Sequence, residues 1–194
     1  METKKIYLTN MHQLECTAKI LEMLEENSII ILDQTVFYAQ GGGQPYDQGI
    51  IESESGKFQV KEVKMLEDGR IAHKGMFEQG SFQIGQEVTC KVDGKRRNLM
   101  ARLHSAGHVI DRAMDEMNYK MPQDRGYHYS DGPYVSYMGN IENPESIKEE
   151  LEKKSNVLLQ KEEKTHLEFI RAEEAVVVVA GSVGMPGRKW RTRS

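Results

Sequence analysis

The sequence predicts an α+β protein in two parts: a small β-barrel-like N-terminal domain over residues 1–93, then an α+β domain with an antiparallel sheet and helices over residues 94–194. Three observations predict it. Up to Asp93 the apolar residues come in short runs, several alternating with polar ones, separated by turn-forming residues. After Asp93 the apolar spacing changes to three and four residues and holds over several helical turns. Beyond that stretch the order helix, hairpin, helix, strand sets antiparallel strands on one side and helices on the other.

In chain order, Leu14, Ala18, Leu21 and Leu24 are spaced for one face of a helix over Thr9 to Glu26. Ser28 to Leu32 is apolar and β-branched, and Gly49 to Glu52 follows a glycine-rich loop. Gly56 to Lys64 alternates at the period of a half-buried strand. Arg70 to His73 and Glu87 to Val92 read as further strands, together enough for a small barrel or a curved sheet. Asp93 is a suitable N-cap, and Leu99, Leu103, Ala106, Ile110, Ala113 and Met117 describe an amphipathic helix from about Gly94 to Met117. Gly107 weakens it by roughly 1 kcal/mol relative to alanine, which points to a close approach by another segment or a ligand. Tyr127 to Ile141 reads as a hairpin, and a second helix starts near Pro144 with Ile147, Leu151, Leu158 and Leu159 on one face. Glu173 and Glu174 lead into an apolar strand at Val176. No internal repeat or low-complexity tract is present.

Composition narrows the function classes. The longest apolar run, Ala175 to Ala180, is far short of the roughly 18 to 20 residues that span a bilayer. Met1 to Ile6 lacks the apolar core of a signal peptide. The expectation is a cytoplasmic protein with no membrane partner, its oligomeric state left open. Cys16 and Cys90 are too few for a disulfide framework and fall in no Cys-x-x-Cys pair, so both read as buried thiols. A formal charge of −4 argues against a strongly electrostatic nucleic-acid binder. Local basic clusters remain: Lys91, Lys95, Arg96, Arg97 and Arg102, then Arg188, Lys189, Arg191 and Arg193. Each reads equally well as a phosphate contact, or as a solvated helix face and a frayed tail.

Two motifs can carry chemistry. His104 and His108 lie four apart on the first long helix, so both imidazoles can face one cation as two of zinc's four ligands. A zinc protease is excluded, because its glutamate base would stand at position 105, which is Ser105. Gly41, Gly42 and Gly43 allow positive φ and let a ligand approach bare backbone, and Gln44 adds an amide donor and acceptor. The absence of a following lysine excludes a P-loop. Taken alone, this stretch reads first as a hairpin turn with surface polar residues, and Gly42, Gly43 and Gln44 also form the tripeptide of ribosomal release factors.

The flanking residues decide otherwise. Thr35, Phe37, Tyr38, Gly41, Gly42, Gly43, Gln44, Pro45, Asp47 and Gly49, then Arg96, Met100, His104 and His108, then Tyr127 to Pro133, occur in the order of three motifs. The chain resembles the alanyl-tRNA editing proteins, free-standing relatives of the alanyl-tRNA synthetase editing domain in the threonyl/alanyl-tRNA synthetase second additional domain family. The likeness runs from about Ile30 to Met185, and 194 residues leave no room for ATP-binding or anticodon-reading domains. It implies hydrolysis of serine or glycine from mischarged alanine tRNA at the acceptor end, with Zn2+ held by His104 and His108. It also implies that Thr35 bonds the serine hydroxyl, that Gln44 positions ester or water, and that Gly42 and Gly43 complete the substrate site. The family closes its zinc set with a Cys-Gly-Gly-Thr-His segment. Here Val183-Gly184-Met185-Pro186 is followed by Gly187 to Ser194, with neither Cys nor His. The resemblance therefore implies an incomplete metal site, and as the alternative a metal-deficient tRNA-binding module without hydrolysis.

Overall fold

The computed structural model describes residues 2–161, 166–168 and 189–191. Its strands up to the first helix are β1 (Lys4–Lys5), β2 (Glu15–Leu24), β3 (Ile29–Leu32), β4 (Gln34–Thr35), β5 (Gly49–Ser53), β6 (Gly56–Met65), β7 (Ile71–Gly80) and β8 (Glu87–Val92). Then come α1 (Gly94–Glu116), β9 (Gln123–Tyr127), β10 (Tyr134–Tyr137), α2 (Pro144–Gln160), β11 (His166–Glu168) and β12 (Lys189–Arg191). The architecture is α+β, as the sequence predicts. The chain divides into two compact units, Met1–Arg102 with His128–Asp131, and Leu103–Tyr127 with Gly132–Ser194.

The first unit is built on a closed barrel in the order β2-β3-β7-β6-β5-β8. Alternation drives it: Val88, Cys90 and Val92 of β8 point inward while the residues between them are more exposed. In β6 the buried set Phe58 and Val60 passes to Val63 across a register shift between Val60 and Glu62, a bulge that re-aims the strand. Ile20, Ile30, Leu32, Phe37, Ile51 and Ile71 fill the interior with no exposed surface. Closure leaves none of the six strands with an unpaired edge. Gly49 marks a close approach of β5 to β8, since a Cβ there would lie 2.1 Å from the Lys91 carbonyl oxygen.

The helix expected over Thr9 to Glu26 is not formed; Glu15–Leu24 is the strand β2. Cys16, Ala18 and Ile20 turn inward while Glu15, Thr17 and Lys19 face out, a period of two. Pairing with β8 and β3 on either side overrides the helical spacing of Leu14, Ala18, Leu21 and Leu24. The remaining sequence-predicted strands of this unit form close to their expected bounds, except that β7 runs on past His73 to Gly80.

In the second unit β9 and β10 form an antiparallel hairpin, with Tyr127 stacked on Tyr134 at 5.4 Å between ring centroids. Helix α2 starts with Pro144 in its first turn and buries Ile147. β11 and β12 pair antiparallel, so Lys189 and Arg191 lie in a strand and not in a frayed tail. The strand expected at Val176 and the turn at Gly184 to Pro186 lie outside the described residues. No helix among the described residues is long and apolar enough to cross a membrane.

Candidate functional site

The Thr35–Gly49 segment folds as a pinned loop on the barrel unit. Tyr38 N–H donates to Asp47 Oδ2 at 2.7 Å and Asp47 N–H to the Tyr38 carbonyl at 3.0 Å, which brings the two limbs together. At the tip, Gly41 and Gln44 exchange N–H···O bonds of 3.2 and 3.0 Å. Gly42 and Gly43 between them have φ of 58° and 76°. Positive φ at both central positions is the signature of a type I′ turn, which side chains with a Cβ resist. The Gly41 carbonyl also accepts the Tyr38 hydroxyl at 2.9 Å, and the Gly43 carbonyl accepts the His128 N–H at 2.9 Å. Gln44 is 5 % exposed.

The clamp on this loop is a buried ion pair. Arg97 is 2 % and Asp47 1 % exposed. Arg97 Nε donates to Asp47 Oδ1 and Oδ2 at 3.1 and 2.9 Å, and Nη2 donates to Oδ2 and to the Val36 carbonyl. Nη1 donates to the Met11 carbonyl at 2.7 Å. One guanidinium therefore fastens both limbs of the loop and a third strand of chain. Arg96 adds a 3.2 Å bond to the Tyr46 carbonyl and lies 5.7 Å over the Tyr46 ring. Asp93 caps α1 through Oδ1, which accepts the N–H groups of Lys95 and Arg96 at 3.0 and 3.1 Å, and so sets the angle of both arginines. The basic cluster read from the sequence is thus dispersed: Arg97 is interior, and Lys91 pairs with Glu52 at 2.7 Å.

Thr35 is wholly buried, and its hydroxyl lies 2.8 Å from His73 Nε2. His73 Nδ1 lies 3.0 Å from the Ile30 carbonyl, which can only accept, so the proton sits on Nδ1 and Nε2 is the acceptor. Burial holds the His73 pKa down to about 4, which keeps the ring neutral. Thr35 consequently donates its proton to His73, accepts the Phe37 N–H at 3.0 Å, and retains one lone pair. Within this arrangement Thr35 can meet a substrate hydroxyl only as an acceptor.

In the second unit His104 and His108 share a face of α1, with ring centroids 5.0 Å apart and planes inclined by 32°. The His108 side chain is 44 % exposed, and its Nδ1 lies 3.4 Å from Asp111 Oδ2. Asp111 Oδ1 accepts the Tyr137 hydroxyl at 2.7 Å. Burial, then the bond to Asp111, raise the Tyr137 phenol well above its ordinary pKa, so it remains a donor. Two imidazoles are half of a zinc donor set. Among the described residues no group of three or more His, Cys, Asp or Glu is placed to hold a metal, so the described residues alone do not fit a zinc site.

Sequence reasoning named Thr35, Gly42, Gly43 and Gln44, which the fold collects in the first unit, and His104 and His108, which it places side by side in the second. It missed the roles of Asp47, Arg97 and His73. The available signal was the arginine pair three and four residues after the N-cap of α1, since an interior charge needs a partner and Asp47 is the one acid of the glycine-rich motif.

Residues 1–96 match the family of class II (A) tRNA synthetases. The chain is 30% identical over 162 residues to an alanine–tRNA ligase of Acidothermus cellulolyticus, an alignment covering 83% of this chain and 18% of that protein. It is 32% identical over 168 residues to one from Nocardioides sp., covering 84% and 18%. A third, from Acetivibrio thermocellus, is 36% identical over 111 residues, covering 52% and 13%. The chain is a homologue of part of alanine–tRNA ligase. Residues 1–96 are similar to the class II (A) synthetase family's domain, which is consistent with the resemblance to the alanyl-tRNA editing domain. It spans less than a fifth of each of these ligases. The family match takes in the barrel and the Thr35–Gly49 loop, and ends at Arg96, one residue before the clamping Arg97.

Proposed function

We propose that the chain works in tRNA editing, as a trans-editing hydrolase that removes serine or glycine wrongly esterified to the acceptor end of alanine tRNA, with zinc associated. The observation that carries this reading is the Thr35–Gly49 loop, complete in its motif and held by the buried Arg97–Asp47 pair, in a homologue of alanine–tRNA ligase. Residues 1–93 would supply the substrate-holding loop and residues 94–194 the part bearing His104 and His108.

Each role follows from chemistry at a stated atom. Gly42 and Gly43 let the aminoacyl end lie against the backbone, and the Gln44 amide positions the ester or a water. An activated ester needs little beyond a well-placed water, so positioning supplies much of the rate. Thr35 would accept the serine hydroxyl through its remaining lone pair once the loop opens around this wholly buried residue, a contact that alanine cannot make and whose loss costs it transition-state binding. That contact acts on serine and leaves glycine to be selected by other means. His104 and His108 can hold zinc only with donors from outside the described residues, and no step is routed through the metal. The setting is the cytoplasm.

The test is deacylation of alanine tRNA charged with serine, glycine or alanine, with zinc added or chelated. The serine and glycine esters should be lost faster than the alanine ester. Thr35→Val should slow serine release more than glycine release; equal slowing would reduce Thr35 to a structural part of the loop. Retention of tRNA in a filter-binding assay with no release of any of the three would favour a second reading, a tRNA-binding module without hydrolysis. What speaks for that reading is the histidine pair with no third ligand among the described residues.

A further inference from the structure

Neither the editing chemistry nor the homology makes use of the two cysteines. Cys16 of β2 and Cys90 of β8 are direct cross-strand partners in the antiparallel ladder of the barrel. Two residues along the same ladder Val92 N–H donates to the Leu14 carbonyl, and at its other end Ile20 N–H donates to the Gln86 carbonyl. Pair type repeats every second residue, so Cys16 and Cys90 form a hydrogen-bonded pair with Cα atoms about 5.5 Å apart. A disulfide requires roughly 4.4 to 6.8 Å. Both side chains face the barrel interior, where Cys90 is fully buried and Cys16 half-buried. Each thiol shifts the other: Cys16 is held below its ordinary pKa by its contact with Cys90, and Cys90 is pushed above its own by Cys16 and by burial. Cys16 also takes the backbone N–H of Val36, the residue after Thr35 and the one whose carbonyl Arg97 holds.

We propose that Cys16 and Cys90 are a hydroperoxide-sensitive dithiol, which oxidation closes into a cross-strand disulfide between β2 and β8 beside the Val36 amide. The more exposed Cys16 sulfur, as thiolate, attacks the terminal oxygen of a hydroperoxide. The O–O bond breaks, the departing alkoxide or hydroxide leaves as alcohol or water after taking a proton, and Cys16 becomes a sulfenic acid. Cys90 then attacks the Cys16 sulfur, the S–O bond breaks, and the hydroxide leaves as water with the Cys90 proton. Two thiols are oxidised by two electrons and the hydroperoxide is reduced by two. The opposed strands hold the second thiol within reach, so the sulfenic acid is resolved before it oxidises further. Closure replaces the Cys16 thiol that faces the Val36 N–H by a disulfide sulfur, a weaker acceptor, and so reports at the root of the Thr35–Gly49 loop.

The experiment treats the full chain with graded hydrogen peroxide and follows it by intact mass, thiol alkylation and peptide mapping. The expected product is a monomer lighter by two hydrogens, with both thiols protected from alkylation, one peptide pair joined through Cys16 and Cys90, and full reversal by dithiothreitol. Hydrogen exchange at Val36 should quicken on the order of tenfold in the oxidised form, since an amide hydrogen bond is weakened. Cys16→Ser should leave Cys90 unreactive over the same range, and Cys90→Ser should let Cys16 run on to sulfinic acid. Because the wild-type mapping needs no variant, a misfolded Cys90→Ser protein does not rescue the idea. Both thiols still alkylatable after peroxide, or a disulfide joining two chains, would overturn the proposal; unchanged Val36 exchange in the closed form would overturn its link to the loop. None of these readouts depends on hydrolysis of an ester.

Discussion

The glycine-rich loop and the histidine pair are opposite solutions to holding a site. In the loop, the polar groups of Thr35 and Asp47 are buried, and each is bonded to a partner far away in sequence. On α1, His104 and His108 are brought side by side by the helical spacing, and His108 stands 44 % exposed with the Asp111 carboxylate near it. The loop has been built stiff, and stiffness of that kind is sensitive to every member. The histidine pair lies on a partly exposed helix face and should tolerate substitution.

The largest effect should come from breaking the clamp. Removing one charge from a buried pair leaves the other unpaired, so Arg97→Ala should destabilise the protein by about 3 to 5 kcal/mol in urea unfolding. The double change Arg97→Met with Asp47→Leu should cost clearly less than the sum of the two single changes, since it removes both charges. If Arg97→Ala unfolds within 1 kcal/mol of wild type, the loop is not held as described.

A smaller effect is expected from His73. Its folded pKa of about 4 lies below the ordinary 6.5, so the unfolded chain takes the proton first. The neutral ring's contribution is therefore fully present above pH 6.5 and drains away as pH falls to about 4, by about 3 kcal/mol in all. Below that window the native state protonates too and the loss levels off. Unfolding midpoints measured across this range should show the slope in wild type and lose it in His73→Asn; identical slopes would place the titrating group elsewhere.

The smallest effect on folding should come from His104→Ala and His108→Ala, each within about 0.5 kcal/mol of wild type without metal because these are partly exposed helix positions. The same changes should abolish any zinc carried by the purified protein. Elemental analysis that finds zinc retained in both variants would remove the pair from the metal site.

Legibility followed the range of the interactions. β6, β8, the Asp93 cap and Pro144 of α2 were readable because the deciding pattern lies within a few consecutive residues. β2 was misread because Leu14, Ala18, Leu21 and Leu24 satisfy a helical period, while its strand partners lie as far off as Glu87 to Lys91. Arg97 looked like one charge among several on a solvated face, and only the fold reveals Asp47 behind it. The same holds for His73, an isolated histidine in its strand until Thr35 and Ile30 are brought against it. Gly42 and Gly43 were legible as a turn, since positive φ is a local demand.

The clamp also has a history in time. Asp47 leaves the ribosome well before its countercharge, because Arg97 is 50 residues further on. At roughly 5 to 20 residues per second, several seconds separate the two. β8, the strand that joins β2 to β5, is finished only a few residues ahead of Arg97. A nascent chain halted before β8 therefore carries a barrel lacking its closing strand and an acidic loop with nothing to grip. A chain halted beyond α1 has both, and limited proteolysis of stalled chains should register the change as one step.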